Sequence, residues 1–193
     1  MRSQTMTAFR FDAEDHLYTD EGGAMPHITG MLAQTGWIDD RWYTEEASDR
    51  GAAVHRLTAE YDLGALDVQT CVTRYRGWLL GYVEAMAQLR PAWTDVEVPH
   101  VHPGYRFGGR PDRIGTVLRL LTVCEVKSGP PARSHQIQTA LQAILAAHSS
   151  TLTVPHAWQR LAVHMKAKGR YKVERHNDRR DFDEAQRIIK VCC

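Results

Sequence analysis

The chain has few cysteines, no long apolar run and almost no excess of charge. Its 193 residues include four cysteines, at positions 71, 124, 192 and 193, and none of them forms a C-x-x-C pair. We therefore expect free thiols rather than a disulfide framework or a redox pair. No stretch approaches the roughly 20 apolar residues that span a bilayer, and the first residues, MRSQTMTAFRFDAED, lack the apolar region of a signal peptide. These features predict an intracellular protein without membrane contact.

The composition, with a net charge of +1 and 43% hydrophobic residues, is that of an ordinary soluble globular protein. The charge is nevertheless uneven, because residues 166–180 (KAKGRYKVERHNDRR) hold seven Lys/Arg against two acids. This segment is either a solvated face or a phosphate-contacting surface. The aromatic residues Trp37, Trp42 and Tyr43 leave a similar choice open, between core packing and a stacking platform for unpaired bases.

Two common kinds of site find no support in the sequence. The glycines at 104, 108 and 109 do not open a helix, so a dinucleotide or phosphate loop is not indicated. His100 and His102 have the same-face spacing of a strand, but no third ligand for zinc lies near them in the sequence.

The length predicts a single domain over residues 1–193, with a mostly helical part at 1–90 and a sheet with flanking helices at 91–193. The fold class is α/β, with a mixed central sheet flanked by helices and an N-terminal helical segment. Residues 1–44 are expected to form an irregular lead-in with short elements, one of them a short helix. The short helix begins at about Thr29, and the other predicted helices are Glu45–Tyr61, Asp67–Leu89, Ser134–His148 and Asp181–Val191. The predicted strands are 94–102, Arg110–Val117, Leu118–Lys127, Ala157–Lys166 and Gly169–Arg175. A tight turn around Gly115 is expected to join the second and third of these strands.

The segment GRPDRIGTVLRLLTVCEVKSG carries the most informative charged residues. Alternate residues of a strand share a face, so Glu125 and Lys127 should be neighbours while Val126 points into the core. A simple ion pair would explain these two residues alone. Asp112, however, belongs to the preceding strand of the same hairpin and can approach Glu125. Two carboxylates repel each other unless a cation lies between them, and oxygen ligands suit Mg²⁺ or Mn²⁺.

A lysine beside such a cation fits phosphodiester hydrolysis. The cation lowers the pKa of a bound water and neutralises the scissile phosphate, while the lysine orients the nucleophile and stabilises developing charge. The residues therefore favour a metal-dependent phosphodiesterase.

Several motifs in this order resemble the PD-(D/E)XK nuclease superfamily. Pro111–Asp112, followed by Glu125-Val126-Lys127, matches its short signature. The segment RGAAVH, ending at His55, resembles the upstream helix motif of the RecB-like exonuclease branch. HQIQTAL, which contains Gln138, resembles the downstream glutamine motif, and GRYKV with DFDEAQRI is similar to the last elements of phage-type members. The likeness covers roughly residues 50–190 and implies a restriction-endonuclease-like core.

The resemblance assigns a role to each matching residue. It implies one or two Mg²⁺ or Mn²⁺ ions and no iron–sulfur cluster, since the cysteines of iron–sulfur members are missing. The branch often has a tyrosine where this chain has Gln142. The implied metal ligands are His55, Asp112, Glu125 and the Val126 carbonyl, with Glu97 as a possible additional acid; Lys127 is the catalytic lysine and Gln138 lies at the edge of the site.

The implied function is a metal-dependent DNA exonuclease of recombination, repair or phage DNA metabolism, in the cytoplasm of a bacterium or a phage-infected cell. DNA is the expected partner, and a single-strand-annealing or other recombination protein is a further one to consider. A structure- or site-specific endonuclease and a non-catalytic DNA-binding subunit are the alternatives. The candidate phosphate contacts are Arg110, Arg113, Arg133, Lys166, Lys168 and Arg170.

Overall fold

The computed structural model describes residues 9–38, 44–150 and 153–193. Over these residues, short strands come first and three helices follow. The strands of the main sheet come next, with one helix between them and another after them. The helices are α1 (Ile28–Gln34), α2 (Glu45–Asp62), α3 (Arg76–Leu89), α4 (Arg133–His148) and α5 (Arg180–Cys192). The strands are β1 (Arg10–Asp12), β2 (Leu17–Asp20), β3 (Gly23–Met25), β4 (Pro91–Val96), β5 (His100–His102), β6 (Phe107–Gly109), β7 (Arg113–Val117), β8 (Leu120–Lys127), β9 (Gln159–Met165) and β10 (Tyr171–Arg175).

The central sheet is mixed, as the sequence predicts, and has the strand order β10-β9-β8-β7-β4. Its only parallel pair among the described strands is β8 with β9, which places Lys127 opposite His164. The crossover between these two strands contains α4, because parallel neighbours need a long connection. The carboxyl ends of β8 and β9 consequently lie at the same edge of the sheet.

Helices cover both faces of this sheet. Alternate residues of β8 separate the two sides, since Cys124 and Val126 pack with α2 and α3 whereas Val123 packs with α4. Glu125 and Lys127 share the α4 side with Val123, which is the alternation expected for an extended strand. Helices α1 and α5 join α4 in a second layer of core on that side. None of the helices in the described ranges is long and apolar enough to cross a bilayer.

The chain before β7 contains more strand than the sequence predicted. Strands β1, β2 and β3 form a separate antiparallel sheet, and β5 pairs with β6 in a further hairpin. Strand β6, at Phe107–Gly109, has no counterpart among the predicted elements. These strands are only three or four residues long, too short for the period-two pattern to stand out in the sequence.

The predicted helix over 67–89 is wrong in its first half. Helix α3 begins at Arg76, and turns precede it. The Arg76 guanidinium donates to the carbonyls of Val68 and Cys71, at 2.7 and 3.4 Å, which holds the segment in a compact loop. Val72, assigned to the apolar stripe of the predicted helix, is 97% exposed.

The predicted turn at Gly115 lies three residues further on. Leu118 and Arg119, with φ of 51° and 68°, form the two-residue connection between β7 and β8. Gly115 lies inside β7, where a Cβ atom would collide with the backbone of Ala92 and Trp93 on β4. This glycine permits close strand packing, and the sequence signal was therefore misassigned to a turn.

The predicted strand over 94–102 is divided between two sheets. The break falls at Glu97, which has a left-handed backbone with φ of 55°, and at Pro99. The Glu97 N–H donates to the Asp112 carbonyl at 3.0 Å, so the break fixes Glu97 beside the start of β7. The remaining predicted elements agree with the structure to within a few residues at their ends.

Candidate active site

Three potential metal ligands converge at one end of the sheet. His55 comes from α2, Glu97 follows β4, and Asp112 immediately precedes β7. His55 Nδ1 lies 3.3 Å from Glu97 Oε1 and 3.3 Å from Asp112 Oδ1. One ligand atom from each residue lies within 4.8 Å of the other two. His55, which lies more than 40 positions before Glu97 and Asp112 in the chain, thus joins them in one compact donor set.

The backbone fixes two of these three side chains. Asp112 is 5% exposed, and its Oδ2 accepts the Val126 N–H at 2.6 Å, just beyond the last pair of the β7–β8 ladder. Its other carboxylate oxygen remains directed at His55. Glu97 is held by its left-handed backbone, a conformation that costs on the order of 1–3 kcal/mol for a non-glycine residue and is concentrated at functional sites.

The charge balance of this donor set suits a divalent cation. The Asp112 carboxylate raises the pKa of His55 to about 10, with smaller contributions from Glu97, although burial opposes the shift. This shift favours the imidazolium form of His55, whose positive charge offsets the two facing carboxylates. One imidazole and two carboxylates are a donor set that accepts Mg²⁺ or Mn²⁺. A cation bound between these three side chains would replace the proton of His55 and would likewise offset the charge of the two carboxylates.

Glu125 belongs to a second group of polar side chains on the α4 face of the sheet. Its Oε1 accepts from Lys127 Nζ at 2.7 Å and from Gln138 Nε2 at 2.6 Å. Lys127 Nζ also donates to Gln138 Oε1 at 3.1 Å. Glu125 is only 2% exposed and does not share the compact donor set of His55, Glu97 and Asp112. Its role as a metal ligand, like that of the Val126 carbonyl, stays a prediction.

Gln142 is a site residue whose role the sequence left open. It lies one helical turn after Gln138 on α4, and its amide donates to Glu125 Oε2. The side chain is buried, and its own carbonyl oxygen has no hydrogen-bond partner. The four-residue spacing from Gln138 indicated a shared helix face, but the sequence could not show that this face meets Glu125.

Both groups border a single cleft of about 580 Å³. Helix α2 closes one side of the cleft, and residues of β2 and α1 border another. Arg56, exposed on α2 next to His55, also lines it and was not singled out from the sequence. The predicted site residues along its wall are His55, Glu97, Arg110, Asp112, Glu125, Lys127 and Gln138.

The prediction that Arg113 contacts phosphate is wrong. Its side chain is fully buried and forms an ion pair with Asp62 behind the cleft. The guanidinium also donates to Thr58 Oγ1 at 3.1 Å and to the Asp112 carbonyl at 2.6 Å, and Tyr82 donates to Asp62. Arg113 therefore binds buried groups next to the site, and its charge is not accessible to solvent.

Replacing Arg113 with methionine should destabilise the protein by about 3–5 kcal/mol, because the buried Asp62 carboxylate would lose its cationic partner. The matched control is Arg106→Met. Arg106 forms a two-bond pair with Asp20, at 2.9 and 3.0 Å, but its side chain is 43% exposed. That loss should cost less than about 1 kcal/mol. Urea unfolding of both variants measures the difference, and equal free energies of unfolding would contradict the role of Arg113.

The other predicted phosphate contacts lie at different distances from the cleft. Arg110 lines it and pairs with Glu97 at 3.3 Å. Arg133 is half-exposed, pairs with Asp181 at 2.6 Å and borders a separate surface depression. Three exposed residues belong to the turn between β9 and β10, near the same sheet edge as Lys127: Lys166, Lys168 and Arg170.

The other residues singled out from the sequence pack against, or pair with, neighbouring side chains. Trp37 packs against the α1–α4–α5 core and donates to Glu184 at 3.2 Å, while positions 42 and 43 lie outside the described residues. His100 Nε2 lies 3.2 Å from Asp95 Oδ2. His102 packs against the rings of Tyr105 and His148.

Comparison with known proteins identifies the family. The model of the PD-(D/E)XK nuclease superfamily matches residues 31–192, which is most of the chain. No curated protein sequence matches.

Several solved structures have a similar chain path. A candidate exonuclease from Eubacterium rectale is 10% identical, with 88% of this chain and 72% of that chain covered and a TM-score of 0.46. LHK-Exo, solved in complex with dAMP, is 13% identical, with coverages of 86% and 85% and a TM-score of 0.39. SSO0001 is 18% identical, with coverages of 85% and 84% and a TM-score of 0.33.

Proposed function

Because this chain belongs to the PD-(D/E)XK nuclease superfamily, we propose that it is a divalent-metal-dependent exonuclease that hydrolyses the phosphodiester bonds of DNA. One observation carries the proposal. The compact donor set of His55, Glu97 and Asp112 opens into the same cleft as the Glu125–Lys127 pair. A cation site and a lysine within one cleft are the parts that phosphodiester hydrolysis needs.

We propose that His55, Glu97 and Asp112 hold an Mg²⁺ or Mn²⁺ ion, and that Glu125 and the Val126 carbonyl contribute to that ion or to a second one. When bound, the metal neutralises the scissile phosphate and makes a water more acidic. Asp112 suits this role because its Oδ2 is fixed by the Val126 N–H, which leaves Oδ1 for the cation. Arg110 and Arg113, both bonded to Glu97, keep that carboxylate oriented.

Lys127 supplies a positive charge within the same cleft. Its ammonium is held between Glu125 Oε1 and Gln138 Oε1, so it is oriented before substrate arrives. In this position it orients the attacking water and stabilises the charge that develops on the phosphoryl oxygens. Gln138 and Gln142 fix Glu125 by donating to its two oxygens.

Substrate binding requires basic groups along the path of the strand. Arg56 and Arg110 line the cleft itself and are placed to contact the phosphates next to the scissile bond. Lys166, Lys168 and Arg170 would contact the backbone further away, at the sheet edge that also carries Lys127. Arg133, outside the cleft, is a more distant contact. Together they supply the electrostatic, sequence-independent part of the affinity.

The exonuclease assignment is supported by the walls of the cleft. Helix α2 covers the sheet end from one side, and His16 and Tyr18 of the β1–β3 region with Ile28 of α1 border another. A site with walls on several sides is reached most easily by a strand that enters end first. We propose that residues 1–193 act as one nuclease domain and that it serves recombination, repair or phage DNA metabolism, with a single-strand-annealing protein as a candidate partner.

Linear DNA should be degraded to short products while covalently closed circles, single- or double-stranded, survive much longer. The experiment compares end-labelled linear DNA with both circles, in Mg²⁺ and in Mn²⁺. A nicked circle is the matched control, since it differs from the closed duplex only by the presence of an end. Digestion of closed circles at the linear rate would favour the endonuclease alternative, and no digestion of any substrate would contradict nuclease activity itself.

A further inference from the structure

A second group of ligand-type side chains lies one strand away from Lys127. His164 is on β9, Glu174 is on β10, and His176 follows β10, where its N–H continues the ladder to the Arg160 carbonyl at 2.9 Å. All three side chains are on the face of the sheet that α4 covers, because His164 alternates with the core residue Val163. The proposed nuclease chemistry uses none of them.

The hydrogen bonds of the two histidines fix their tautomers. His164 Nδ1 lies 3.0 Å from the Gly129 carbonyl, which can only accept, so Nδ1 carries the proton. His176 Nδ1 lies 2.8 Å from Thr139 Oγ1. The Thr139 hydroxyl already donates to the Gln136 carbonyl at 3.0 Å, so it accepts from His176 Nδ1. In the neutral rings, both Nε2 atoms therefore carry lone pairs.

These two lone pairs face the same carboxylate oxygen. His164 Nε2 lies 3.5 Å and His176 Nε2 3.9 Å from Glu174 Oε2. The histidines are 1% and 5% exposed, and neither Nε2 atom has a hydrogen-bond partner. Burial lowers the pKa of both rings, that of His176 to about 4. Lone pairs directed at a carboxylate call for a cation between them.

We propose that His164 Nε2, His176 Nε2 and Glu174 Oε2 bind a Zn²⁺ ion, with water as the fourth ligand. Two imidazoles and one carboxylate are a donor set that zinc accepts and that Mg²⁺ disfavours, since Mg²⁺ prefers oxygen. The Gly129 and Thr139 hydrogen bonds are the outer partners that orient histidine ligands at metal sites. Glu174, whose side chain is 20% exposed, provides the route of entry.

The ligands need only local adjustment to surround the ion. Ligands about 2.0–2.1 Å from tetrahedral zinc are about 3.3 Å apart, close to the two distances from Glu174 Oε2. Among the described residues only His55, Glu97 and Asp112 have ligand atoms all within 4.8 Å of one another, so the two Nε2 atoms are further apart and must rotate inward.

Basic and histidine side chains around the proposed zinc site affect which groups can bind the ion. His135 packs against His164, but its Nδ1 accepts the Ala132 N–H at 3.2 Å, which puts its proton on Nε2 and excludes it as a ligand. Lys172 competes for the carboxylate by donating to Glu174 Oε1 at 2.6 Å. Its side chain is 60% exposed and can turn into solvent. The positive charges of Lys127 and Arg160 act against a cation, at His164 and His176 respectively.

The test measures zinc binding to the full chain after a chelator has stripped it of metal. Calorimetry should show a Zn²⁺ site that is retained in Asp112→Asn, a variant in which the other donor set has lost a carboxylate. Glu174→Gln and His176→Gln should weaken binding more than about tenfold, because even outer partners of a ligand contribute 10- to 100-fold. Lys172→Ala should tighten it, a direction that a purely structural role does not predict. Co²⁺ should give the visible bands of a tetrahedral site.

His156→Ala is the control, since this histidine is exposed on the turn before β9. Zinc affinity that is the same in Glu174→Gln, His176→Gln and the wild type would overturn the proposal, as would zinc binding that disappears in Asp112→Asn. If the His176 variant fails to fold, Glu174→Gln, at a partly exposed side chain, decides the matter alone. Because binding is measured without DNA, a failure here leaves the nuclease proposal untouched, and inactivity on DNA leaves the zinc result standing.

Discussion

Asp112→Asn should lower DNA cleavage roughly 10³-fold or more and weaken Mn²⁺ binding. In the proposed site Asp112 holds the cation, so its loss removes several kcal/mol of transition-state stabilisation, and each 1.36 kcal/mol corresponds to a factor of ten. The asparagine oxygen can still accept the Val126 N–H that Asp112 Oδ2 accepts at 2.6 Å. The fold should therefore survive, while the charge beside His55 disappears. End-labelled DNA digestion and calorimetry with Mn²⁺ measure the two effects.

The matched control for this change is Asp95→Asn. Asp95 is also a carboxylate next to a histidine, with its Oδ2 3.2 Å from His100 Nε2, but neither residue lines the cleft. The control should cleave DNA and bind Mn²⁺ like the wild type. His55→Ala should fall between the two variants, since it removes one neutral ligand and leaves both carboxylates. Normal cleavage and normal metal affinity in Asp112→Asn would remove this site from consideration.

The sequence predicted the mixed sheet, its flanking helices and the pairing of Glu125 with Lys127, because those features depend on local periodicity. Strand alternation alone places Glu125 and Lys127 on one face and Val126 in the core. The approach of His55 to Asp112 was inferred from resemblance to a family, since no spacing rule connects a helix to a strand that far along the chain. Long-range contacts of this kind depend on how the elements pack.

The errors have local causes that the sequence could not reveal. Arg113 looked like a surface cation because arginine is rarely buried, but Asp62 and Thr58, more than 50 residues away, satisfy its guanidinium in the interior. Gly115 looked like a turn because glycine is common in turns, whereas here it allows β4 to approach β7. In both cases the deciding partner is distant in sequence.

Glu97 shows how a break in regular structure can bring a side chain to the candidate site. The period-two pattern of residues 94–102 predicted an uninterrupted strand, yet the left-handed backbone at Glu97 ends β4 and turns this carboxylate toward His55. A continuous strand would have kept Glu97 in the sheet ladder. The family resemblance indicated an acid here, and the structure supplies the reason that it reaches the site.

Lys127→Met should reduce cleavage by roughly 10² or more while DNA affinity falls only slightly. The expected loss is that of one preorganised electrostatic group, whereas the affinity depends on several phosphate contacts of which Lys127 is one. Methionine keeps the length and apolar stem of the side chain but cannot donate to Glu125 Oε1, at 2.7 Å, or to Gln138 Oε1, at 3.1 Å. Single-turnover cleavage and DNA binding without cleavage, in Ca²⁺, separate the two effects.

Lys172→Met is the control, because Lys172 repeats the same local arrangement outside the cleft. Its ammonium lies 2.6 Å from Glu174, two residues away on one strand, just as Lys127 pairs with Glu125. If the loss in Lys127→Met came only from breaking a strand ion pair, both variants should lose similar activity and similar stability. Cleavage that is low in Lys127→Met and normal in Lys172→Met, with equal unfolding free energies, would assign the effect to chemistry. Near-normal cleavage by Lys127→Met would make Lys127 a structural ion-pair partner.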